Sequence, residues 1–314
     1  MTPRGALIAA LRREPPTGLV PHLELEYQLT ATTPGIEQEA LRAAHLEGVS
    51  RARRQDLLKR NAELWVQVAQ RFDWNCLTGL HWLSDEDQCL SFEYVREIAG
   101  DTYMLSGFAD GTLSIPGGRE MVEHVVWLTE HEEEALQEAQ RRIDADGARI
   151  RLLASAGAEV FFMCADYCFN DGPFLSPRMF GKYVAPFLAQ QVGVIHQAGA
   201  FAVKHTDGDL MPILDQLADT GVDALHSLDP MAGVDVAAVK RCCGDRVTLM
   251  GNVNCAWLQA GTPEQVEASA RYCLEHGGVK QGGYVYCSSN CIFTGVPLAQ
   301  YEWMLRLRQE HGWA

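Results

Sequence analysis

Polar side chains that could do chemistry collect where short apolar runs of this sequence end. One run closes on Val203-Lys204-His205-Thr206-Asp207-Gly208. Side chains alternate along a strand, so His205 and Asp207 can point to one centre. A His-x-Asp pair there suits a metal site or an acid–base couple. Another run closes on Tyr286-Cys287-Ser288-Ser289-Asn290-Cys291. A Cys-x3-Cys pair alone is weak evidence for zinc. Joined to His205 it gains weight, because catalytic zinc takes three protein ligands and keeps one position open. His205, Asp207, Cys287 and Cys291 are therefore candidate metal ligands. Asp229, in His226-Ser227-Leu228-Asp229-Pro230, is a further candidate, either as a catalytic group beside His205 and Asp207 or as a cap on the following turn.

Other run ends offer substrate contacts. In Leu23-Glu24-Leu25-Glu26-Tyr27, strand alternation puts Glu24 and Glu26 on one face, lining the pocket with two carboxylates. The stretch Cys164-Ala165-Asp166-Tyr167-Cys168-Phe169 offers Asp166, and its aromatics Tyr167 and Phe169 could stack on a flat substrate. Asn252, after Gly251, could orient a ligand through its amide. Cys242, Cys243 and Cys273 fall in helical stretches and read as packing.

The elements that must position these residues alternate. Strand-like runs at 19–26, 72–78, 103–108, 159–164, 200–205, 222–228, 247–252 and 284–288 are separated by helical stretches, among them 36–70, 118–145, 177–197, 263–276 and 297–311. Thr262-Pro263 and Ser176-Pro177 are helix starts, a capping residue followed by a first-turn proline. Strand alternating with helix implies a parallel sheet covered on both faces. Eight such units in 314 residues predict a single (β/α)8 TIM barrel over residues 1–314 with an N-terminal helical extension, an open doubly wound sheet being the alternative. In a barrel the chemistry sits at the C-terminal strand ends, where the candidates lie. No Gly-x-Gly-x-x-Gly or Walker-type loop follows any run.

A formal charge of −15 argues against nucleic acid and against a polybasic membrane surface. No apolar stretch reaches the ~20 residues of a membrane span, and no signal peptide is evident. Ten cysteines in a long chain, mostly within apolar runs, predict a reduced, cytoplasmic protein and not a disulfide framework. A small-molecule substrate is expected, with a homodimer as the default assembly.

The second half resembles the uroporphyrinogen decarboxylase superfamily. The resemblance is carried by Phe174-Leu175-Ser176-Pro177-Arg178-Met179-Phe180, the His205-Thr206-Asp207-Gly208 turn, Thr220-Gly221-Val222-Asp223 with Ser227-Leu228-Asp229, Gly251-Asn252-Val253 and Gly295-Val296-Pro297. In the first half it rests mainly on Gly107-Phe108. It implies a single (β/α)8 barrel and one of two chemistries. One branch decarboxylates porphyrinogen acetates without a cofactor. It carries arginines after its first strand, where this chain has Glu24 and Glu26, and an aspartate after its second, where Asn75-Cys76-Leu77-Thr78-Gly79-Leu80-His81 has none. The other branch consists of corrinoid-dependent methyltransferases, often zinc-dependent, whose fifth strand ends His-x-Cys. Here His205 is kept, Asp207 replaces the thiol, and Cys287 or Cys291 can stand for the second cysteine. The resemblance thus implies methyl transfer between a small substrate, an aryl methyl ether among the candidates, and a corrinoid, with zinc as Lewis acid. No Asp-x-His-x-x-Gly corrinoid signature is present, so the corrinoid would come on a separate partner protein. A metal-free decarboxylase of a small carboxylated substrate or porphyrinogen is the alternative.

Overall fold

A computed structural model describes all 314 residues. Seven parallel strands pair in chain order: β1 (Cys76–Leu77), β2 (Met104–Phe108), β3 (Val160–Met163), β6 (Phe201–Thr206), β7 (Ala224–Ser227), β8 (Thr248–Met250) and β9 (Tyr284–Val285). A short antiparallel hairpin, β4 (Cys168–Phe169) with β5 (Gly172–Pro173), is inserted after β3. Residues 19–27 fill the eighth position. His22 forms a parallel bridge with Tyr286, and the Tyr286 N–H donates to the Pro21 carbonyl at 2.9 Å. On the other side the Asn75 N–H donates to the His22 carbonyl at 2.7 Å, and the His22 N–H returns a 2.7 Å bond to Asn75 Oδ1. The barrel is closed by this segment, which bends at Leu25 and forms no regular ladder.

Helices cover the outside: α2 (Arg51–Phe72), α3 (Asp85–Ala99), α4 (Met121–Glu130), α5 (Glu132–Ala156), α6 (Pro177–Tyr183), α7 (Ala185–Gln197), α8 (Leu214–Asp219), α9 (Val236–Cys243), α10 (Cys255–Ala260), α11 (Pro263–His276) and α12 (Leu298–His311), with α1 (Pro3–Leu11) ahead of the barrel. The Thr262 and Ser176 caps form as expected, their side chains accepting from the Gln265 and Met179 amides. Two expected helices change shape. The one expected over 36–70 begins only at Arg51, because Gly48 turns into the left-handed region and Ser50 caps the helix. The one expected over 118–145 breaks at His131, and α5 then runs to Gly157, whose left-handed backbone (φ 119°) ends it.

Alternation sorts the strands into two packed layers. Phe161, Met163, Ala202, Leu225 and Leu249 face the helices. Val160, Phe162, Val203, Ala224, Met250, Val285 and Cys287 form the lumen cluster with Leu23, Leu25, Cys76 and Met104. Leu7, Ala10 and Leu11 of α1 join that cluster. The helix is tied below the strands: Arg4 meets Glu159, which precedes β3, and the Thr248 hydroxyl, at the start of β8, donates to the Ala10 carbonyl at 2.8 Å. The N-terminal helix therefore plugs the floor, and the lumen opens only at the strand C-termini. No helix is long and apolar enough to cross a membrane. All ten cysteines are free thiols.

Asn75 ties the closing segment to α1 as well, since its Nδ2 donates to the Pro3 carbonyl at 2.8 Å. An Asn75→Ala variant leaves the His22 N–H and Pro3 carbonyl unpaired. Urea titration should show a loss of about 2 kcal/mol of unfolding free energy; a loss below ~0.5 kcal/mol would mean that the closure does not depend on this side chain.

Candidate functional site

The ends of β3, β6 and β7 lie side by side, with His205 in register with His226. There the Asp166 carboxylate, the His205 ring and the Asp207 carboxylate each offer a donor atom, all within 4.8 Å of one another. His205 Nε2 lies 3.7 Å from Asp207 Oδ1 and 4.0 Å from Asp166 Oδ1. These are not ion pairs: burial, aided by the Lys204 cation, drives the His205 pKa down to about 3, so the ring is neutral. Its other nitrogen, Nδ1, is 2.8 Å from Nδ1 of His226. His226 is fully buried, its pKa pushed down by burial and then by His205, and its Nε2 has no partner. When His205 Nδ1–H donates to His226, His205 Nε2 presents a lone pair between two carboxylates.

Asp207 is held from three sides. Its Oδ1 accepts from the Ser227 hydroxyl at 2.7 Å and its Oδ2 from Asn290 Nδ2 at 2.6 Å, while its own N–H donates to Asp166 Oδ1 at 2.9 Å. Burial raises its pKa to about 6 against the Ser227 bond, and the nearby Asp166 and Asp229 charges add to the rise. Ser227 and Leu228 both take positive φ (78° and 49°), a costly conformation for non-glycine residues. Asn252 braces that turn, its Nδ2 donating to the Leu228 carbonyl at 2.6 Å, and its Oδ1 accepts the Cys273 thiol. Gly208 follows at φ 84°, where a Cβ would lie 2.6 Å from the carbonyl oxygens of Cys168 and Phe169. Only glycine lets the Asp207 turn lie against the β4 hairpin.

Asp166 is fixed through its neighbours. Behind the sheet, fully buried Lys204 donates to Asp110 Oδ2 at 2.6 Å and to the Ala165 carbonyl at 2.7 Å. Asp110 Oδ2 also accepts the Ala165 N–H at 2.8 Å. Both sides of Ala165 are thus gripped by one buried ion pair. On the far side the Tyr167 N–H donates to the Thr206 hydroxyl at 3.0 Å. Burial opposes the charge on Asp110, but Lys204 and the hydrogen bonds from Thr112 and Ala165 prevail and hold its pKa below the usual range.

The structure redistributes the other expected site residues. Glu24 and Glu26 do not share a face, because the chain bends at Leu25 between them. Glu24 is fully buried and accepts from the Ser288 hydroxyl at 2.5 Å; burial raises its pKa to about 8. Glu26 is partly exposed and meets His81 Nε2 at 3.4 Å and Gln28 Nε2 at 3.0 Å. Burial opposes its ionisation too, but those partners and Arg42 take its pKa below the usual value. Cys287 is corrected to a core residue: it is fully buried in the lumen cluster, outside the donor group. Cys291 is also outside that group, although its thiol feels Glu26, Glu24, Cys164 and Asp207, and burial raises its pKa. Tyr167 is buried and not free to stack on a substrate. It is buried under Lys204, whose ammonium lies 4.1 Å from its ring centroid, with its hydroxyl on Thr112. Phe169 sits exposed on β4, edge-on to Phe174. Asp229 acts as a cap, its Oδ1 accepting the Met231 N–H at 2.8 Å and its Oδ2 the Gly208 N–H at 3.3 Å. Asn252, expected to orient a ligand, braces the fold instead. Of the helical cysteines, Cys243 and Cys273 are buried as expected, but Cys242 is exposed.

His226, Ser227 and Asn290 stand in the runs whose ends were read, yet only the strand register brings them to His205 and Asp207. Asp110 and Lys204 are 94 residues apart and carry no local signal.

The sequence model of uroporphyrinogen decarboxylase (URO-D) matches residues 93–311. The chain belongs to the URO-D family. Similar curated proteins include the uroporphyrinogen decarboxylase of Chlorobium luteolum, 33% identical over 104 residues, which are 32% of this chain and 28% of that protein. The enzyme of Chlorobium phaeovibrioides is 28% identical over 145 residues, 43% of this chain and 38% of that protein. Both matches thus cover well under two thirds of the relatives' own length. Among solved structures, a methyltransferase from Methanosarcina mazei superposes with a TM-score of 0.74 over 99% of both chains at 18% identity, a likeness of fold.

Two predictions concern the supports of this URO-D barrel. Removing one member of a buried ion pair strands the other. Asp110→Ala should lose about 3–5 kcal/mol of stability by denaturant unfolding, whereas Asp110→Asn with Lys204→Met should lose less than Lys204→Met alone. A double variant no better than the single one would deny the coupling. Glu24 supplies the second. Its native pKa of about 8 stands above its ordinary 4.5, so the stability present at low pH is lost as pH rises through that window. Between pH 5 and pH 9 (roughly the range that spans the titration), wild-type protein should lose stability relative to Glu24→Gln. A flat difference across this range would mean that Glu24 ionises without penalty.

Proposed function

We propose that this URO-D family chain is a methyltransferase. It moves a methyl group between a small substrate of the aryl methyl ether class and a separate corrinoid protein, with zinc as a Lewis acid. The observation that carries this reading is His205 Nε2, which faces Asp166 and Asp207 without a hydrogen bond while Nδ1 is engaged by His226. One neutral imidazole and two partly exposed carboxylates form a donor set that zinc accepts. Asp166, His205 and Asp207 would hold it, with Cys291 the remaining thiol candidate. When bound, zinc would polarise the ether oxygen and so favour departure of the aryl oxide. The protein's own groups prepare the site. His226 fixes the His205 tautomer by accepting from Nδ1–H. Ser227 and Asn290 orient the Asp207 carboxylate and favour its charged form against burial. The Lys204–Asp110 pair holds Asp166 in place through Ala165. The same barrel serves a methyltransferase in Methanosarcina mazei, so the fold accommodates this reaction class.

A second reading, decarboxylation, is favoured by the names of the similar Chlorobium proteins. Against it, the segment where a porphyrinogen-binding relative carries arginines here has none and presents the ionised Glu26 at the mouth, so anionic acetates would meet repulsion in place of bidentate pairing.

Elemental analysis of protein dialysed against zinc should find one ion per chain, lost in His205→Ala and Asp166→Ala and kept in Cys287→Ala. Mixed with a reduced corrinoid protein and methoxylated aromatics, the wild type should yield the methyl–cobalt absorbance. Carbon dioxide release from uroporphyrinogen, with no bound metal, would overturn the reading in favour of the decarboxylase.

A further inference from the structure

The mouth of the barrel has a second polar end, opposite the donor cluster. Glu26 stands at the top of the closing segment and His81 follows β1, with Glu26 Oε1 3.4 Å from His81 Nε2. The His81 ring is fixed in place. It stacks on Phe108 at 4.0 Å between centroids and meets Trp82 at 4.5 Å. Its Nδ1 lies 2.8 Å from the Thr78 carbonyl oxygen. A carbonyl only accepts, so Nδ1 carries the proton. The neutral ring then turns the lone pair of Nε2 toward the Glu26 carboxylate, and two acceptors face each other. Only a proton on Nε2 or a cation from outside can join them. Gln28 Nε2 holds the other Glu26 oxygen at 3.0 Å. Arg42, whose charge also acts on Glu26, is stacked on Trp82 and makes no ion pair with it.

This end and the donor cluster share one space. Phe108 ends β2, pairs with Phe162 and packs on the lumen cluster, so His81, stacked upon it, sits over the lumen. On β3 the next inward residue above Phe162 is Cys164. It stands one step past the last pair of β3 with β6, Met163 with Lys204, and therefore beside His205. The Cys164 thiol accordingly feels the charges of both Asp166 and Glu26, and the Cys291 thiol those of both Glu26 and Asp207. The side chains of Asp166, Asp207 and Glu26 are 46%, 34% and 18% exposed, so solvent reaches both ends. The surroundings are acidic throughout. Residues 164–173, 205–213, 226–236, 251–264 and 286–297 include no Lys or Arg. Lys204 is engaged by Asp110 behind the sheet. Asp166 and Asp207 match the two charges of the proposed zinc, which leaves Glu26, Asp209 and Asp229 to set the sign of the mouth. A cleft lined by one sign of charge draws in the other.

We propose that the substrate is an aryl methyl ether that carries a protonated amine. The ammonium bridges Glu26 Oε1 and His81 Nε2 with two of its N–H donors, and the methoxy end lies at Asp166, His205 and Asp207. β2 and β3 stand between the two ends. At ~4.8 Å per strand step, less the inward reach of the side chains, the gap suits one ring with a short alkylamine arm. An aromatic carboxylate would meet only like charge at the same place. The inference names the substrate class of the proposed reaction and rests on that reading for its purpose, but binding is measured without any turnover.

Three probes share a ring and differ in charge: para-methoxyphenethylamine, para-ethylanisole and para-methoxyphenylpropionate. In calorimetric titrations the amine should bind saturably and about tenfold or more tightly than the neutral ether, and the propionate more weakly than either. Raising sodium chloride from about 20 to about 500 mM should weaken the amine severalfold and barely affect the neutral ether. Glu26→Gln should weaken the amine about tenfold and so abolish its preference over the neutral ether. An unchanged unfolding curve and zinc content show that this variant is intact, and the three-probe series on wild-type protein decides the matter if it does not fold. Equal affinity for the amine and the neutral ether, tighter binding of the propionate, or full amine affinity in Glu26→Gln would overturn the proposal. A protein that binds zinc and methylates a corrinoid but shows no preference for the amine keeps its reaction and loses this substrate class. One that binds the amine through Glu26 but neither takes up zinc nor methylates a corrinoid keeps the ammonium site and loses the reaction.

Discussion

Lys204 and Asp110 meet behind the sheet, out of water, and between them grip the N–H and the carbonyl flanking Ala165. The geometry of the strand ends depends on this contact. Asp166 follows immediately, its carboxylate accepts the Asp207 N–H, and Asp207 in turn takes Ser227 and Asn290. A chain of polar contacts therefore runs from the loop after β2, through β3 and β6, to β7 and the segment after β9. A buried ion pair adds little net stability compared with an apolar pair of similar size. What it supplies here is a single position for a loop that would otherwise have several. The strained Ser227-Leu228 turn fits the same picture, since the bond to Asp207 and the Asn252 brace hold a backbone that its residue types disfavour.

The floor and the mouth of the barrel divide the labour. Below, α1 seals the lumen with Leu7, Ala10 and Leu11, so the apolar cluster is continuous from floor to mid-barrel. Above it, the inward positions change from Val203 and Ala224 to His205 and His226 within one strand alternation. Burial at that depth keeps both rings neutral. A neutral imidazole can offer a lone pair, which an imidazolium cannot. The hydrophobic lumen thus sets the electronic state of the ring at its upper edge.

The acidic balance of the chain also has two local forms. Glu24, out of water beside Ser288, is held as a neutral acid up to about pH 8 and belongs to the wall of the barrel. Glu26, two residues on, meets His81 and Gln28 and ionises readily. Identical residue types differ here because one bend sends one side chain into the protein and leaves the other at the mouth.

The sequence by itself determined the architecture. Periodicity placed the strands, apart from the irregular closing segment, and the Thr262-Pro263 and Ser176-Pro177 caps marked two helix starts. The quoted pieces of the second half pointed to the family, which the match over residues 93–311 established. It also singled out His205, Asp207 and Asp166, because polar residues that end apolar strands stand out locally. Tertiary structure alone decided which of the candidates meet. Cys287 has the same local appearance as a ligand, but pleat and register send it into the lumen cluster. Asn252, Tyr167 and Asp229 read as pocket groups, yet their polar atoms are engaged by Leu228, Thr112 and Met231. The supports of the site, Asp110 with Lys204 and His226 with His205, join residues far apart in the chain. A strand ending is written in neighbouring residues, whereas a contact between strand ends is set by register and closure of the whole barrel, and no local pattern encodes it.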